Sequence, residues 1–199
     1  MTLIAATGNR GKLVEIREIL GSHFDRILSQ KEAGLFLDVE EDADTFAGNA
    51  MKKARAFCEA TGMPAVADDS GLCVDALNGE PGVYSARYMG EGHTDAERSA
   101  FVLEKMKDVP EDRRSARFMC AAVIAFPDGT SVTAVGSCEG KIAYEPAGEN
   151  GFGYDPIFVP EGETRTFAQM TDGEKNAISH RGRAMRLLYE KLSGGLRDE

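Results

Sequence analysis

No apolar run in this chain of 199 residues approaches the roughly 18 residues needed to cross a bilayer. The start of the chain has no basic leader and no small-residue cleavage site ahead of its first apolar run, so a cytoplasmic, membrane-free protein is expected. Cysteine is sparse and scattered. Cys58, Cys73, Cys120 and Cys138 form no Cys-x-x-Cys and have no histidine nearby. That excludes a zinc pattern and leaves them as small buried apolar residues rather than ligands or bridges. Positive charge is also short, with 23 Lys and Arg against 33 Asp and Glu, a net charge of −10. A surface that acidic repels polyanions, which excludes nucleic acid and anionic membrane as partners. A small anionic ligand is still permitted wherever the scarce cations concentrate. Internal repeats, low-complexity segments and long linkers are absent too. Residues 1–199 therefore read as one domain, or two closely joined lobes, with length enough for a real core.

What is present is a mixed α/β pattern. Leu3-Ile4-Ala5-Ala6 is a buried strand that turns through Thr7-Gly8-Asn9-Arg10-Gly11-Lys12 into a helix ending near Leu20, with Leu13, Ile16 and Leu20 facing inward. A second strand is expected over 27–29, and a helix over 45–61 after the acidic stretch 38–44. Gly62-Met63-Pro64 breaks the chain before a short strand over 65–67 that delivers Asp68-Asp69-Ser70-Gly71. Gly79, Pro81, Gly82 and Gly90 mark a long surface loop. Thr94 and Glu97 form a capping box that opens a helix lasting to about Lys107. Segments 117–126 and 131–138 pair as a hairpin around Pro127-Asp128-Gly129. Residues 147–160 read as irregular, 179–192 as the last helix, and the tail after Ser193 as frayed.

Four places carry chemistry. The loop at 7–12 joins a strand to a helix start, where unpaired N–H groups and the positive dipole end suit phosphate. Arg10 and Lys12 in that first turn are unfavourable by about 0.3–1 kcal/mol each unless an anion is near. An ordinary turn capped by Asn9 is the plainer alternative. The spacing is not that of a Walker A loop. In the second place, about 100° per residue along 45–61 puts Phe46, Ala50, Ala54 and Phe57 on a buried stripe, with Asn49 and Lys53 on its flank. An inward-leaning lysine should meet carboxylates or phosphate, unless its stem snorkels to water.

The third place is Asp68-Asp69. Adjacent carboxylates at a strand end repel, which raises one pKa unless a cation compensates. Magnesium with substrate phosphate oxygens suits such a pair, one acid holding metal while Asp69 orients or deprotonates water. A plain Asp-Ser-Gly turn is the alternative. The fourth place pairs Gly151-Phe152-Gly153-Tyr154-Asp155-Pro156 with Lys175-Asn176-Ala177-Ile178-Ser179-His180-Arg181. A glycine-flanked aromatic can stack on a base, and donors aimed at a purine O6 would penalise adenine. His180 serves equally well as a residue of a helix-capping region.

In this order, the segments resemble the non-canonical purine nucleoside triphosphate pyrophosphatases, the inosine/xanthosine triphosphate pyrophosphatase family. The matching pieces are Thr7-Gly8-Asn9-x-x-Lys12, Glu40-Glu41 with Thr45-Phe46, Asn49 and Lys53-Ala54-Arg55, Asp68-Asp69-Ser70-Gly71-Leu72, Pro81-Gly82-Val83-Tyr84-Ser85-Ala86-Arg87, Phe152-Gly153-Tyr154-Asp155-Pro156, and Glu174-Lys175-Asn176-Ala177-Ile178-Ser179-His180-Arg181. The resemblance implies a two-lobed α/β fold with a long twisted mixed sheet flanked by helices and an active-site cleft between lobes. It implies a homodimer that uses Mg2+ to convert ITP, dITP and XTP to the monophosphate and pyrophosphate. Carried over, Thr7, Gly8, Asn9, Arg10, Gly11, Lys12 and Lys53 hold the triphosphate. Glu40 or Glu41 and Asp69 organise the metal, and Asp69 activates water. Ser70 touches substrate, while Phe152, Gly153, Tyr154, Asp155, Lys175, His180 and Arg181 hold the base.

Two rivals are weaker. A pyrophosphatase for modified pyrimidine nucleotides would lack the pairing of 152–155 with 179–181. A binding module without catalysis would lack the carboxylates at 68 and 69.

Overall fold

A computed structural model describes residues 1–196 and 198. Among the described residues, six strands, β1 (Thr2–Ala5), β2 (Arg26–Ser29), β3 (Ala65–Val74), β4 (Ser115–Ala125), β5 (Ser131–Ile142) and β6 (Phe158–Pro160), form one mixed sheet in the order β2-β1-β3-β4-β5-β6. Five α-helices accompany them among those residues: α1 (Arg10–Leu20), α2 (Phe46–Thr61), α3 (Asp95–Lys105), α4 (Asp172–Ile178) and α5 (His180–Ser193). The mixed α/β class expected from the sequence is therefore the observed one. The chain divides into two compact units.

The first unit comprises Met1–Asp69, Cys120–Gly136 and Arg181–Glu199. Its β1 runs parallel to both β2 and β3. Because strand side chains alternate between faces, Leu3, Ala5 and Val66 pack with Ile16 and Leu20 of α1 and with Ala184 and Leu188 of α5. Ile4, Ala65 and Ala67 pack on the other face with Ala50, Ala54 and Phe57 of α2. Most of the apolar stripes read from helical spacing are buried here, but Phe46 at the start of α2 and Leu13 on α1 are only partly so. Order β2-β1-β3 with α1 and α2 on opposite faces makes the C-terminal end of β1, beside the middle of β3 where their pairing ends at Val66, a topological switch point, where open α/β sheets take ligands.

The second unit comprises Ser70–Met119 and Ser137–His180. Leu72, Val102, Met106, Phe118, Ile142, Phe158 and Phe167 share its core, with the Phe118 and Phe158 rings 4.8 Å apart. Strand β6 pairs antiparallel with β5. A fully buried arginine, Arg114, donates to the carbonyls of Met106, Val109, Ile142 and Ala143 at 2.7–3.1 Å. It satisfies the carbonyls left over at the end of α3 and beyond β5.

Four expectations need correction. Strand β3 does not stop before Asp68-Asp69-Ser70-Gly71 but runs through it, because the two carboxylates fall on opposite faces and each finds its own partners. The loop around Pro81 is not all surface. Pro81 and Ser85 are buried, and the Ser85 hydroxyl donates to the Gly82 carbonyl at 2.6 Å while accepting from Leu72 N–H at 2.9 Å. Segment 147–160 is not wholly irregular, since it contains a 3-10 turn at Asp155–Ile157 and strand β6. In the tail, Asp198 bridges Ser131 by two backbone bonds of 2.7 and 3.0 Å, so that residue is tied down, while Arg197 and Glu199 lie outside the described residues. The cysteines are unbridged, three of them buried and Cys73 partly so.

Candidate active site

In the first unit, the loop after β1 behaves as a capped turn. Asn9 Oδ1 accepts from the N–H groups of Gly11 at 2.8 Å and Lys12 at 3.2 Å, so the side chain of Asn9 takes the donors that the sequence alone offered to phosphate. Thr7 Oγ1 accepts from Asn9 N–H at 3.1 Å, and Arg10 is exposed. Thr7, Gly8, Asn9, Lys12, Lys53 and Glu41 line one cavity of about 290 Å3 at the switch point, together with Asp68.

Lys53 forms an ion pair with Glu41, so the inward lysine has met a carboxylate, as its position on α2 requires. Glu40 is exposed and does not line the cavity, whereas Glu41 is partly buried and does. The ambiguity within that acidic pair is thus a matter of facing.

Asp68 is 3% exposed. Its Oδ2 accepts from Lys12 Nζ at 2.8 Å and Arg181 Nε at 3.1 Å. Burial works to raise its pKa, but the charges of Lys12 and Arg181 prevail and hold the carboxyl well below its usual range. The repulsion expected between the adjacent acids is therefore answered by two cations. Arg181, 5% exposed, has Glu15 at 3.7 Å as a second carboxylate. Asp69, partly buried, is on the strand's other face, where its Oδ2 accepts from Asn49 Nδ2 at 3.0 Å. Asn49 is fully buried, and its Oδ1 accepts from Ala43 N–H at 2.9 Å.

The second unit gathers another set. Ser70, its first residue, is partly buried in β3. Phe152 is 45% exposed, with Lys175 Nζ 4.6 Å from its ring centroid. Asp155, buried, accepts from Lys175 Nζ at 2.5 Å and from Phe152 N–H at 2.8 Å. A Cβ on Gly151, at φ +75°, would lie 2.1 Å from Asp155 Oδ2, so this turn requires glycine. Tyr154 is buried and its hydroxyl donates to the Ser85 carbonyl at 2.9 Å; burial pushes its pKa up. His180, buried at the start of α5, stacks on Phe118 at 4.7 Å with an interplanar angle of 12°.

A model of the Ham1 family matches residues 3–191. The chain belongs to the Ham1 family. It is 51% identical over 189 residues to the dITP/XTP pyrophosphatase of Streptomyces coelicolor, covering 94% of each chain. It is 48% identical over 195 residues to the dITP/XTP pyrophosphatase of Escherichia coli K12, covering 97% of this chain and 98% of that one. A HAM1 protein from Coxiella burnetii has a solved structure similar to this one, with TM-score 0.89, 43% identity, and coverage of 98% and 99%.

Within this Ham1 chain, the sequence placed Asn49 on the flank of α2 and in the matching motif but gave it no role, and it did not single out Glu15 at all. Asn49 precedes Lys53 by four residues on the same flank of α2, and a polar amide beside a buried stripe needs a partner. Glu15 carried no such signal.

Proposed function

We propose that the chain hydrolyses dITP, ITP and XTP to the monophosphate and pyrophosphate with Mg2+, removing deaminated purines from the nucleotide pool. The observation that carries this is the switch-point cavity, in which an acidic protein has placed Lys12 and Lys53 beside Glu41 and Asp68. The names of its close Ham1 relatives supply the substrates.

The donors fit magnesium. Glu41 and Asp69 offer carboxylate oxygen. Magnesium ordinarily takes one or two carboxylates and completes its shell with water and phosphate oxygens. Held by Glu41 and Asp69, it would offset phosphate charge and acidify water. Asp69 takes the proton of the attacking water, with Asn49 fixing its orientation. Thr7, Gly8, Asn9, Arg10, Gly11, Lys12 and Lys53 bind the triphosphate, and Ser70 touches substrate. Asp68 acts by position, holding Lys12 and Arg181.

Phe152 stacks on the base, framed by Gly153, Tyr154 and Asp155, and Lys175, His180 and Arg181 supply its polar contacts. Donors facing O6 reward hypoxanthine and xanthine, whereas the adenine amine leaves such donors unpaired. Residues 1–199 form one pyrophosphatase domain of two lobes, acting as a cytoplasmic homodimer; the assembly rests on family likeness.

Pyrophosphate release from ITP, dITP, XTP, ATP and GTP, measured with Mg2+, tests the reading. The deaminated purines should be turned over far faster than ATP or GTP. Equal rates would remove the specificity, and release of orthophosphate would remove the reaction.

A further inference from the structure

The loop that carries Phe152 is held from outside by residues that none of its own contacts require. Phe152 is half exposed, and besides Lys175 Nζ at 4.6 Å from its ring, the backbone on either side is held in place. The N–H of Phe152 donates to Asp155 Oδ2 at 2.8 Å, and the N–H of the next residue, Gly153, donates to Asp95 Oδ2 at 2.8 Å. The Gly153 carbonyl accepts from the Ser99 hydroxyl at 3.3 Å. Both peptide units that flank the ring are thus tied to a carboxylate, one local and one 58 residues away. Gly153 adopts φ +62°, a left-handed conformation open to glycine.

The first turn of α3 is built to hold such a ligand. Thr94 caps it, with Glu97 completing the capping box, so the helix start is satisfied without help from Asp95. A carboxylate at that end is also favoured by the helix dipole. Asp95 is thus left over for the Gly153 N–H, which donates to its carboxylate oxygen at 2.8 Å. Ser99, buried one turn later on the same helix, meets the carbonyl of the same residue. Arg98 Nη1 lies 3.6 Å from the other oxygen of that half-exposed carboxylate, Asp95 Oδ1.

We propose that Asp95 and Ser99 are positioning residues for base recognition, acting through Gly153 on the ring of Phe152. This rests on the reading of Phe152 as the base-stacking residue. With α3 holding the loop, the ring is already placed before substrate binds, and binding does not have to order it. Loss of the clamp should weaken binding of the base more than the chemical step at the phosphates.

The test is steady-state pyrophosphate release from ITP and GTP by the full chain, with wild type, Asp95→Ala, Asp95→Asn, Ser99→Ala, Phe152→Ala and the Asp95→Ala/Phe152→Ala double variant. Asp95→Ala should raise KM for ITP about tenfold with kcat within about twofold, the pattern of lost binding rather than lost chemistry. Asp95→Asn should recover most of that loss, because an amide oxygen still accepts from Gly153 N–H. Ser99→Ala should shift KM in the same direction by about twofold to threefold, as fits its longer bond. In the Phe152→Ala background, Asp95→Ala should add nothing, since residues acting as one unit are not additive. Unchanged KM in Asp95→Ala alongside an impaired Phe152→Ala would overturn the role of Asp95 alone. A full additional loss in the double variant, or a fall in kcat without a change in KM, would overturn it as well. Unchanged KM in Phe152→Ala would remove the base-stacking reading itself, and the positioning role with it.

Discussion

Asn49 Nδ2 lies 3.0 Å from Asp69 Oδ2, and the oxygen of the same amide is held by Ala43 N–H. The second bond decides the first. With Oδ1 facing a donor, Nδ2 has to face the acid, so Asn49 cannot flip without breaking both contacts. A buried amide fixed in this way sets the direction of the Asp69 carboxylate and ties it to the chain just after Glu41.

If Asp69 is the base, Asn49→Ala should lower kcat by roughly tenfold to a hundredfold while KM changes little, as expected when a general base keeps its charge but loses its aim. Asp69→Asn should abolish turnover and leave nucleotide binding largely intact. Steady-state kinetics with a direct binding measurement separate the two. Full activity in Asp69→Asn would disqualify it as the base, and a normal kcat in Asn49→Ala would disconnect the pair.

Glu41 and Glu40 make a contrast within two adjacent residues. Glu41 pairs with Lys53 and lines the cavity, while Glu40 is exposed. Glu41→Gln should raise the Mg2+ concentration for half-maximal activity by about tenfold, since one carboxylate is a large share of a magnesium site. Glu40→Gln should leave the Mg2+ titration unchanged. Equal shifts for both, or a shift for Glu40 alone, would contradict the assignment.

Much of this molecule was legible because periodicity reports burial directly. Phe57, Ala54 and Ala50 lie on the stripe that helical spacing assigns, and Thr94 with Glu97 opens α3 as their separation demands. Helix α4 carries the same signal in Thr171 and Glu174, yet it is short and sits in a motif whose polar residues drew attention to chemistry instead. Asp68 and Asp69 were legible as a charged pair but not as a strand interior. Alternation places neighbours on opposite faces only once the strand is known to continue, and the partners that let it continue, Lys12 and Arg181, are distant in sequence. The Asp95 contact with Gly153 had no local signature at all. A first-turn aspartate is explained by the helix dipole alone, and its true partner is visible only in the folded chain.

Asp68 gives a stability prediction with a definite pH window. Its carboxyl titrates well below the ordinary value of 3.8, because Lys12 and Arg181 outweigh the burial that opposes ionisation. A carboxyl depressed in the native state contributes fully above its unfolded pKa. Below about 3.8 the unfolded chain binds a proton that the native state refuses, so stability from this group falls as pH falls. Asp68→Asn removes the charge and leaves Arg181 buried without its nearest carboxylate, which should cost about 3–5 kcal/mol near neutrality. Urea unfolding of both proteins in EDTA should therefore show a gap that is constant from about pH 7 to about pH 5 and narrows as pH drops below about 3.8. A gap that keeps its full width into strong acid would mean that the Asp68 carboxylate is not held ionised by its two cations, and the account of Lys12 as oriented toward the cavity by that acid would fail with it.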